Sequence, residues 1–356
     1  MAVSVPAYML ASGLMSEGGG WWQAVMTVFL GNVIVLVPMV LMGHAGGKHG
    51  IPYPVLARTS FGVKGAMLPA ILRAIAACDW FGIQTWLGGQ AIYTILNVVT
   101  GNALLGSPLP LLGISFGQLF CFLLFWALHI YFITKGTDSI RWMETVAAPL
   151  LLLPGVALVW WAYSKAGGFG PMLAAPSQFA QGGKKVGQFW SVFWPFLTAM
   201  VGYWATLALN IPDFTRFARS QRDQIIGQAI GLPIPMGLLS LVAVLVTSAT
   251  LVIYGEAIWD PVALTGKMGG ISVVIALIVL IVATITTNLA TNVVSPAYDF
   301  SNLAPSKISF RTGGYYCSYR PGHVPLENSG NHQRLYLYLA HWLWRSAGAD
   351  CGHHVG

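Results

Sequence analysis

Apolar residues run along this chain in eight stretches, separated by short segments rich in polar residues or glycine. An α-helix of about 20 apolar residues is long enough to cross the ~30 Å hydrocarbon core of a bilayer. The pattern therefore predicts membrane spans at about residues 1–15, 21–43, 67–98, 110–132, 143–164, 189–211, 228–254 and 271–297.

The first stretch is unusual because it is too short to span a bilayer and carries Pro6 near its middle. A proline removes a backbone donor and disturbs a helix interior. The stretch is either a re-entrant segment or a helix that the sequence enters partway along, and we favour the second interpretation.

The last stretch combines an apolar face with a polar one. Its polar side chains recur at helical spacing, at Thr284, Thr287, Asn288, Thr291, Asn292 and Ser295. An amide in hydrocarbon costs about 1–3 kcal/mol unless another group bonds it. The polar face therefore meets a wet cavity, an ion site or a partner helix, for which Asn and Thr often act only as glue.

Composition and charge place the chain in a membrane. It is 56% hydrophobic and only 8% charged, whereas soluble domains carry about 25% charged residues. Lys and Arg concentrate on one side of the predicted topology, in segments 44–66, 133–142, 212–227 and 298–314. The positive-inside rule makes that side cytoplasmic, so the net charge of +7 reflects orientation rather than nucleic-acid binding.

Three side chains within the spans could carry chemistry. Trp80 and Gln84 lie four residues apart on one helical face. Such a pair could stack a flat heterocycle and bond its edge, although Trp80 could also pack against core or lipid. Asp79 is a carboxylate deep in a span, where ionisation costs roughly 2.5–3.5 kcal/mol. It could carry a coupling proton or remain a neutral, hydrogen-bonded acid.

The sixth stretch has Gly202 at its centre, beside Tyr203 and Trp204. Glycine at this depth is common in membrane helices, but it is also where a discontinuous helix would open its backbone to a ligand. The first and sixth stretches are five apart, which suits a five-plus-five inverted repeat.

Long segments of the chain resemble the nucleobase:cation symporter-1 family, the cytosine, uracil, allantoin and hydantoin permeases. The resemblance runs from Met1 to about Gly314 and includes PAYMLASGL, GHAGGKHGIPYPVLARTSFGVKGA, LRAIAACDWFGIQTWLGGQAIY, DSIRWMETVAAPLLL, GYWATLALNIPDFTRFAR and TNLATNVVSPAYDFSNLAPSKISFRTGG. It implies an all-α membrane protein of leucine-transporter type, with a five-plus-five inverted repeat truncated to about eight helices.

The resemblance also implies a ligand site and an ion site. The ligand would lie between two indoles and meet amide or hydroxyl groups, at Trp80, Trp204, Gln84, Asn292, Asn288 and Ser4. Sodium would bind to backbone and hydroxyl oxygens at Val3, Ala283, Thr286 and Thr287. Sodium favours several hard oxygens, and an amide can both donate and accept along a heterocycle edge, so the residue types fit.

Two departures from the family pattern divide the chain. The sequence begins at the equivalent of the middle of the first helix, and after Gly314 it no longer follows the family pattern. We expect residues 1–314 to form a partial transporter domain. Residues 315–356 are expected to be an atypical tail, non-native or disordered, and a shifted reading frame is the simplest explanation.

The sequence therefore predicts a multi-pass protein of the plasma (inner) membrane that takes up a planar heterocycle. Coupling to Na⁺ or H⁺ is expected, with no cofactor, no nucleic acid and no obligate protein partner. Alternatives are a non-transporting fragment of such a permease and an amino-acid symporter of the same fold. An enzyme is disfavoured, because the spans contain no HExxH, GxSxG or paired acid.

Overall fold

The computed structural model describes residues 4–101, 106–107, 109, 114–174, 176–268 and 271–319, and these residues are almost entirely helical. In chain order the helices are α1 (Val5–Ser16), α2 (Trp21–His49), α3 (Tyr53–Leu56), α4 (Arg58–Gly65), α5 (Met67–Thr100), α6 (Phe116–Lys135), α7 (Thr137–Ala166), α8 (Phe169–Leu173), α9 (Phe189–Asn210), α10 (Pro212–Thr215), α11 (Gln221–Gly231), α12 (Pro233–Tyr254), α13 (Pro261–Met268), α14 (Ile271–Asn292), α15 (Val294–Leu303) and α16 (Phe310–Tyr319).

Each predicted span corresponds to one of the longer helices or to α1, and the predicted all-α architecture is confirmed. Within the described residues, five helical runs are long and apolar enough to cross a membrane. A sixth results if α4 and α5, which meet at a bend of 95°, count as one broken span. The chain is an integral, multi-pass membrane protein.

Two spans differ in detail from the sequence prediction. Helix α9 passes through Gly202 without interruption, so the backbone does not open there. The stretch 271–297 instead has a one-residue irregularity at Val293, between α14 and α15, within one continuous helical run. Pro296 has no N–H to donate to the Asn292 carbonyl four residues earlier, and that carbonyl accepts a bond from the Cys317 thiol, at 3.0 Å.

The long helices pack into two groups. One hydrophobic core is centred on α1, α2, α9 and α12. A second is built from residues of α5, α6, α7, α14 and α16, and α5 and α14 also contribute buried residues to the first. The faces of α5 and α14 that meet α9 therefore lie at the boundary between the two groups.

Helix α2 approaches α10 closely along a seam of glycines. The Thr215 hydroxyl donates to the Gly43 carbonyl at 2.9 Å. A Cβ on Gly46 would lie 2.3 Å from Thr215 Oγ1 and 2.7 Å from the Pro212 carbonyl oxygen. Only a residue without a side chain fits at this contact.

Helix α16 continues past residue 314, the boundary expected from the sequence. Cys317 and Ser318 are fully buried, and the Trp126 indole donates to the Ser318 carbonyl at 2.9 Å. The rest of the expected tail, residues 320–356, lies outside the described residues.

Candidate functional site

A small polar cavity lies between α5, α9 and α14. It is lined by Arg73, Trp80, Gln84, Tyr203, Trp204, Thr206, Leu207, Thr291 and Asn292. The free volume is about 20 Å³, enough for roughly one water molecule. A planar heterocycle would fit only if some of these side chains moved.

Two indoles wall this cavity, and a tyrosine lies against both. The ring centroids of Trp80 and Tyr203 are 5.4 Å apart, in an edge-to-face arrangement. Tyr203 and Trp204 are related in the same way, at 5.1 Å. Trp204 is 4% exposed, and its Nε1–H has no acceptor among the described residues.

Two amides complete the wall. Gln84 is 2% exposed, and its side-chain oxygen has no donor among the described residues. Asn292 donates from Nδ2 to the Asn288 side-chain oxygen at 2.9 Å. This bond orients the Asn292 amide and leaves its own oxygen to serve the cavity.

Asn288 lies outside the cavity lining and belongs to the packed seam between helices. Its Nδ2 is 3.2 Å from the Phe81 carbonyl, 3.3 Å from Thr85 Oγ1 and 3.1 Å from His129 Nε2. His129 Nδ1 lies 2.9 Å from the Phe125 carbonyl, which must accept its proton. His129 Nε2 is then the acceptor for Asn288. Both side chains therefore hold neighbouring helices together through hydrogen bonds.

Ser4 also lies outside the cavity lining. It is the N-cap of α1, with its hydroxyl 3.4 Å from the Ala7 backbone N–H. The same hydroxyl is 2.8 Å from the Tyr203 hydroxyl. Ser4 therefore reaches the cavity indirectly, by holding Tyr203.

The residues matched to the sodium site occupy one part of α14. The Thr286 hydroxyl donates toward the Val282 and Ala283 carbonyls, at 2.9 and 3.0 Å, and Thr287 is 1% exposed. Val3 lies outside the described residues. Among those described, no group of three His, Cys, Asp or Glu side chains could hold a metal ion.

Asp79 does not share the cavity with its neighbour Trp80. It is partly buried and has an interaction within the protein. Its place on α5 turns it away from the face that carries Trp80 and Gln84.

Sequence reasoning missed Arg73, which lines the cavity at 4% exposure. Its Nη2 makes one long contact with the Thr291 carbonyl, at 3.4 Å. The available signal was its position seven residues before Trp80, because that spacing places both on one helical face.

A larger groove of about 280 Å³ lies between α2 and α9 and is lined almost wholly by apolar side chains. Its polar members are already bonded: Gln23 accepts from the Gly20 N–H, and Thr27 donates to the Gln23 carbonyl. It offers little to orient a heterocycle.

Comparison with known families identifies a match over most of the chain. A family model described as a permease for cytosine/purines, uracil, thiamine and allantoin matches residues 1–319.

Individual relatives are permeases of the same kind. A purine-uracil permease of Arabidopsis thaliana is 46% identical over 316 residues, covering 88% of this chain and 52% of the relative. An allantoin permease of Bacillus subtilis (strain 168) is 40% identical over 317 residues, covering 88% of this chain and 63% of the relative. The chain therefore spans only about half to two thirds of the length of these relatives.

Solved structures share the architecture. Mhp1, a nucleobase-cation-symport-1 family transporter in a closed conformation with bromovinylhydantoin bound, superposes with a TM-score of 0.73 at 25% identity, covering 97% of this chain and 73% of Mhp1. MhsT in complex with L-phenylalanine gives a TM-score of 0.68 at 13% identity, covering 98% of this chain and 84% of MhsT, and shares the fold alone.

Proposed function

This chain belongs to the family of permeases for cytosine/purines, uracil, thiamine and allantoin, and from that membership we propose that it forms the substrate-binding part of a heterocycle transporter. The fold is of the leucine-transporter type, with part of a five-plus-five inverted repeat present. In that arrangement ligands bind at mid-membrane, between helices of the two repeats.

The proposed substrate is a planar heterocycle such as uracil, cytosine, allantoin or hydantoin. Trp80 of α5 and Trp204 of α9 wall one cavity, and stacking on an aromatic side chain contributes about 1–3 kcal/mol per base in nucleic-acid binders. Because Tyr203 lies against both indoles, the ring of a substrate would enter as Tyr203 moves aside.

The observation that carries the proposal is the set of unbonded polar atoms around this cavity. The Trp204 N–H and the Gln84 oxygen are both deeply buried and lack partners among the described residues. A buried polar atom left unpaired costs about 1–3 kcal/mol. A heterocycle edge with alternating N–H and C=O groups would bond both atoms and recover that energy.

The proposed driving ion is Na⁺ or H⁺. Sodium is supported by the hard oxygens of Ala283, Thr286 and Thr287 on α14, joined by the Val3 carbonyl that the family resemblance implies. A proton is the alternative, with Asp79 as its carrier. Each ion would be a co-transported substrate, and no cofactor enters the proposal.

Catalysis is not part of the proposed function. The cavity lining contains one charged side chain, Arg73, and no carboxylate, thiol or imidazole. General acid–base or nucleophilic chemistry needs such groups within hydrogen-bond reach of the substrate.

Ligand binding by the purified chain in detergent micelles tests the proposal. Radiolabelled uracil and allantoin are expected to bind saturably, in competition with other planar heterocycles and not with amino acids. Trp80→Ala should weaken binding at least tenfold. Trp190→Ala, at a 59% exposed position of α9, is the matched control and should leave binding unchanged.

Equal effects of the two tryptophan variants would contradict the site, and competition by amino acids would favour the amino-acid symporter. Uptake into cells expressing the chain, with sodium exchanged for potassium, then separates a transporter from a fragment that only binds. Uptake that ignores sodium but follows a proton gradient would assign the coupling to H⁺.

A further inference from the structure

Arg73 is a buried cation whose hydrogen-bonding capacity is largely unused. Its Nε and Nη1 have no acceptor among the described residues, and its one contact, from Nη2 to the Thr291 carbonyl, is long at 3.4 Å. A guanidinium offers five N–H donors in a planar fork. Burying them without acceptors is costly, so an acceptor brought by a ligand would bind strongly here.

The nearest acidic groups do not neutralise Arg73 directly. Asp213 and Asp299 are close enough to interact with it electrostatically, but neither forms an ion pair with it among the interactions of the described residues. Their oxygens are engaged elsewhere. The Asn210 amide donates to Asp213 at 3.0 Å and to Asp299 at 3.3 Å, and the Tyr53 N–H donates to Asp213 at 2.8 Å.

The contact with α14 fixes the level of the guanidinium in the bundle. Thr291, whose carbonyl it meets, directly precedes Asn292, and both residues line the cavity together with Trp80. The Arg73 side chain thus lines the same cavity as the amide of Asn292 and the indole of Trp80.

The unbonded atoms of the lining then form a simple pattern. Arg73 and Trp204 supply N–H donors without acceptors, and Gln84 supplies an oxygen without a donor. The complementary ligand has oxygen acceptors together with an N–H donor. An imide or ureide edge, O=C–NH–C=O, has that arrangement, whereas the ring edge of cytosine or adenine replaces an oxygen with an amino donor.

We propose that Arg73 forms a second polar subsite of this cavity, one that receives a carbonyl oxygen of the heterocycle and selects imide and ureide rings over amino-substituted ones. The inference rests on the proposed function, because it assumes that a heterocycle enters this cavity. It adds a discrimination that stacking on Trp80 cannot provide, since every planar base has a π face. An amino group turned toward the guanidinium would leave both donors unpaired.

Paired ligands test the subsite on the unaltered protein. 4-Thiouracil keeps the N3–H donor of uracil and replaces the carbonyl oxygen at C4 with a weakly accepting sulfur. A hydrogen bond to a charged group corresponds to roughly a 10- to 100-fold difference in affinity. Uracil should therefore bind about tenfold more tightly than 4-thiouracil, and cytosine should compete poorly.

Variants assign the preference to Arg73. Arg73→Gln should reduce the preference for uracil over 4-thiouracil to less than about threefold, as expected when the bidentate charged donor is lost. The affinity for 4-thiouracil should change little. Arg73→Lys keeps the positive charge but loses the planar set of N–H donors. Its ligand preference should lie between those of the unaltered protein and Arg73→Gln. Arg216→Gln, at an arginine that donates to the Tyr298 hydroxyl away from the cavity, should keep the full preference.

The outcomes separate the two proposals. If uracil binds but 4-thiouracil binds equally well, the subsite is wrong and the proposed function stands. The same holds if Arg73→Gln weakens both ligands equally or leaves the preference intact. If the unaltered chain binds no heterocycle at all, both proposals fail. If Arg73→Gln does not fold, the absence of a preference in the unaltered protein still overturns the subsite, and the intermediate preference of Arg73→Lys assigns it to the guanidinium.

Discussion

Two neighbouring turns of α14 carry the same kinds of side chain and have different environments. Around Asn288, the amide meets acceptors on α5 and α6, and its oxygen accepts from Asn292. One turn later, the cavity beside Asn292 is lined by Gln84 and Trp204, which have buried atoms without partners. Polarity alone does not mark a binding site in a membrane helix; unused hydrogen-bonding capacity does.

The contrast has an energetic meaning. A fully bonded buried network stabilises one packing arrangement, because each bond is strengthened by the low local dielectric. The same dielectric makes an unpaired polar atom costly in the absence of a ligand. Substitutions in the two regions should therefore separate stability from ligand affinity.

The largest effect is expected from Asn288→Leu. The change removes the donor to His129 Nε2 and the acceptor for Asn292, leaving buried atoms unpaired at about 1–3 kcal/mol each. The unfolding free energy in detergent should fall by roughly 2–4 kcal/mol, measured by denaturant titration. A neutral result would remove the distinction between the two turns.

Gln84→Leu should lower ligand affinity without lowering stability, and its effect should be smaller than that of Asn288→Leu. It removes a buried oxygen that has no donor, so stability should stay equal or rise slightly. The affinity for uracil should drop about tenfold, as for the loss of one buried hydrogen bond. Equilibrium binding and thermal unfolding measured on the same sample give both values. A clear loss of stability would mean that Gln84 belongs to the structural network.

A smaller effect is expected at the bond between Ser4 and Tyr203, which are 2.8 Å apart. Tyr203→Phe and Ser4→Ala should each lower the unfolding free energy by about 1 kcal/mol. The double variant should lose less than the sum, because both changes remove the same bond. If the loss of unfolding free energy in the double variant equals the sum of the two single losses, the bond between Ser4 and Tyr203 does not contribute to stability.

The smallest effect concerns pH and a third polar region, around Asn210. Burial raises the pKa of Asp213, and bonds from the Tyr53 N–H and the Asn210 amide only partly oppose this. The native state then holds this proton to higher pH than the unfolded state does, so stability should decline as pH rises above 3.8. Asp213→Asn should flatten that slope in thermal unfolding between pH 3.5 and 6. A rise in stability over this range would mean that the pKa of Asp213 is lowered in the native state, which contradicts the prediction.

The sequence predicted much of this arrangement from local spacing. The spans followed from apolar length, and the placement of Trp80 and Gln84 on one face followed from their separation of four. The same rule applied to Arg73 would have found the third member of that face. The polar face of α14 was visible as well, since a helix of known period fixes which side chains point together.

Other features depend on partners that no local pattern reveals. Asn288 and Asn292 share a face, and only the Phe81 carbonyl and His129 on neighbouring helices make one of them structural. Ser4 was expected to meet the ligand, but the Tyr203 hydroxyl, 199 positions away, engages it. The irregularity at Val293 was readable from Pro296, whereas the thiol of Cys317 that bonds the Asn292 carbonyl was not.

The close glycine contact between α2 and α10 determines which helices move as one unit when the cavity opens. With Gly46 in direct contact with the Pro212 and Thr215 atoms, the two elements cannot slide past each other without a backbone collision. They should behave as one rigid body during any opening of the cavity. The hinge would then lie across the cavity, where Tyr203 of α9 faces Trp80 of α5, so the aromatic contacts that close the site are also the ones that must part.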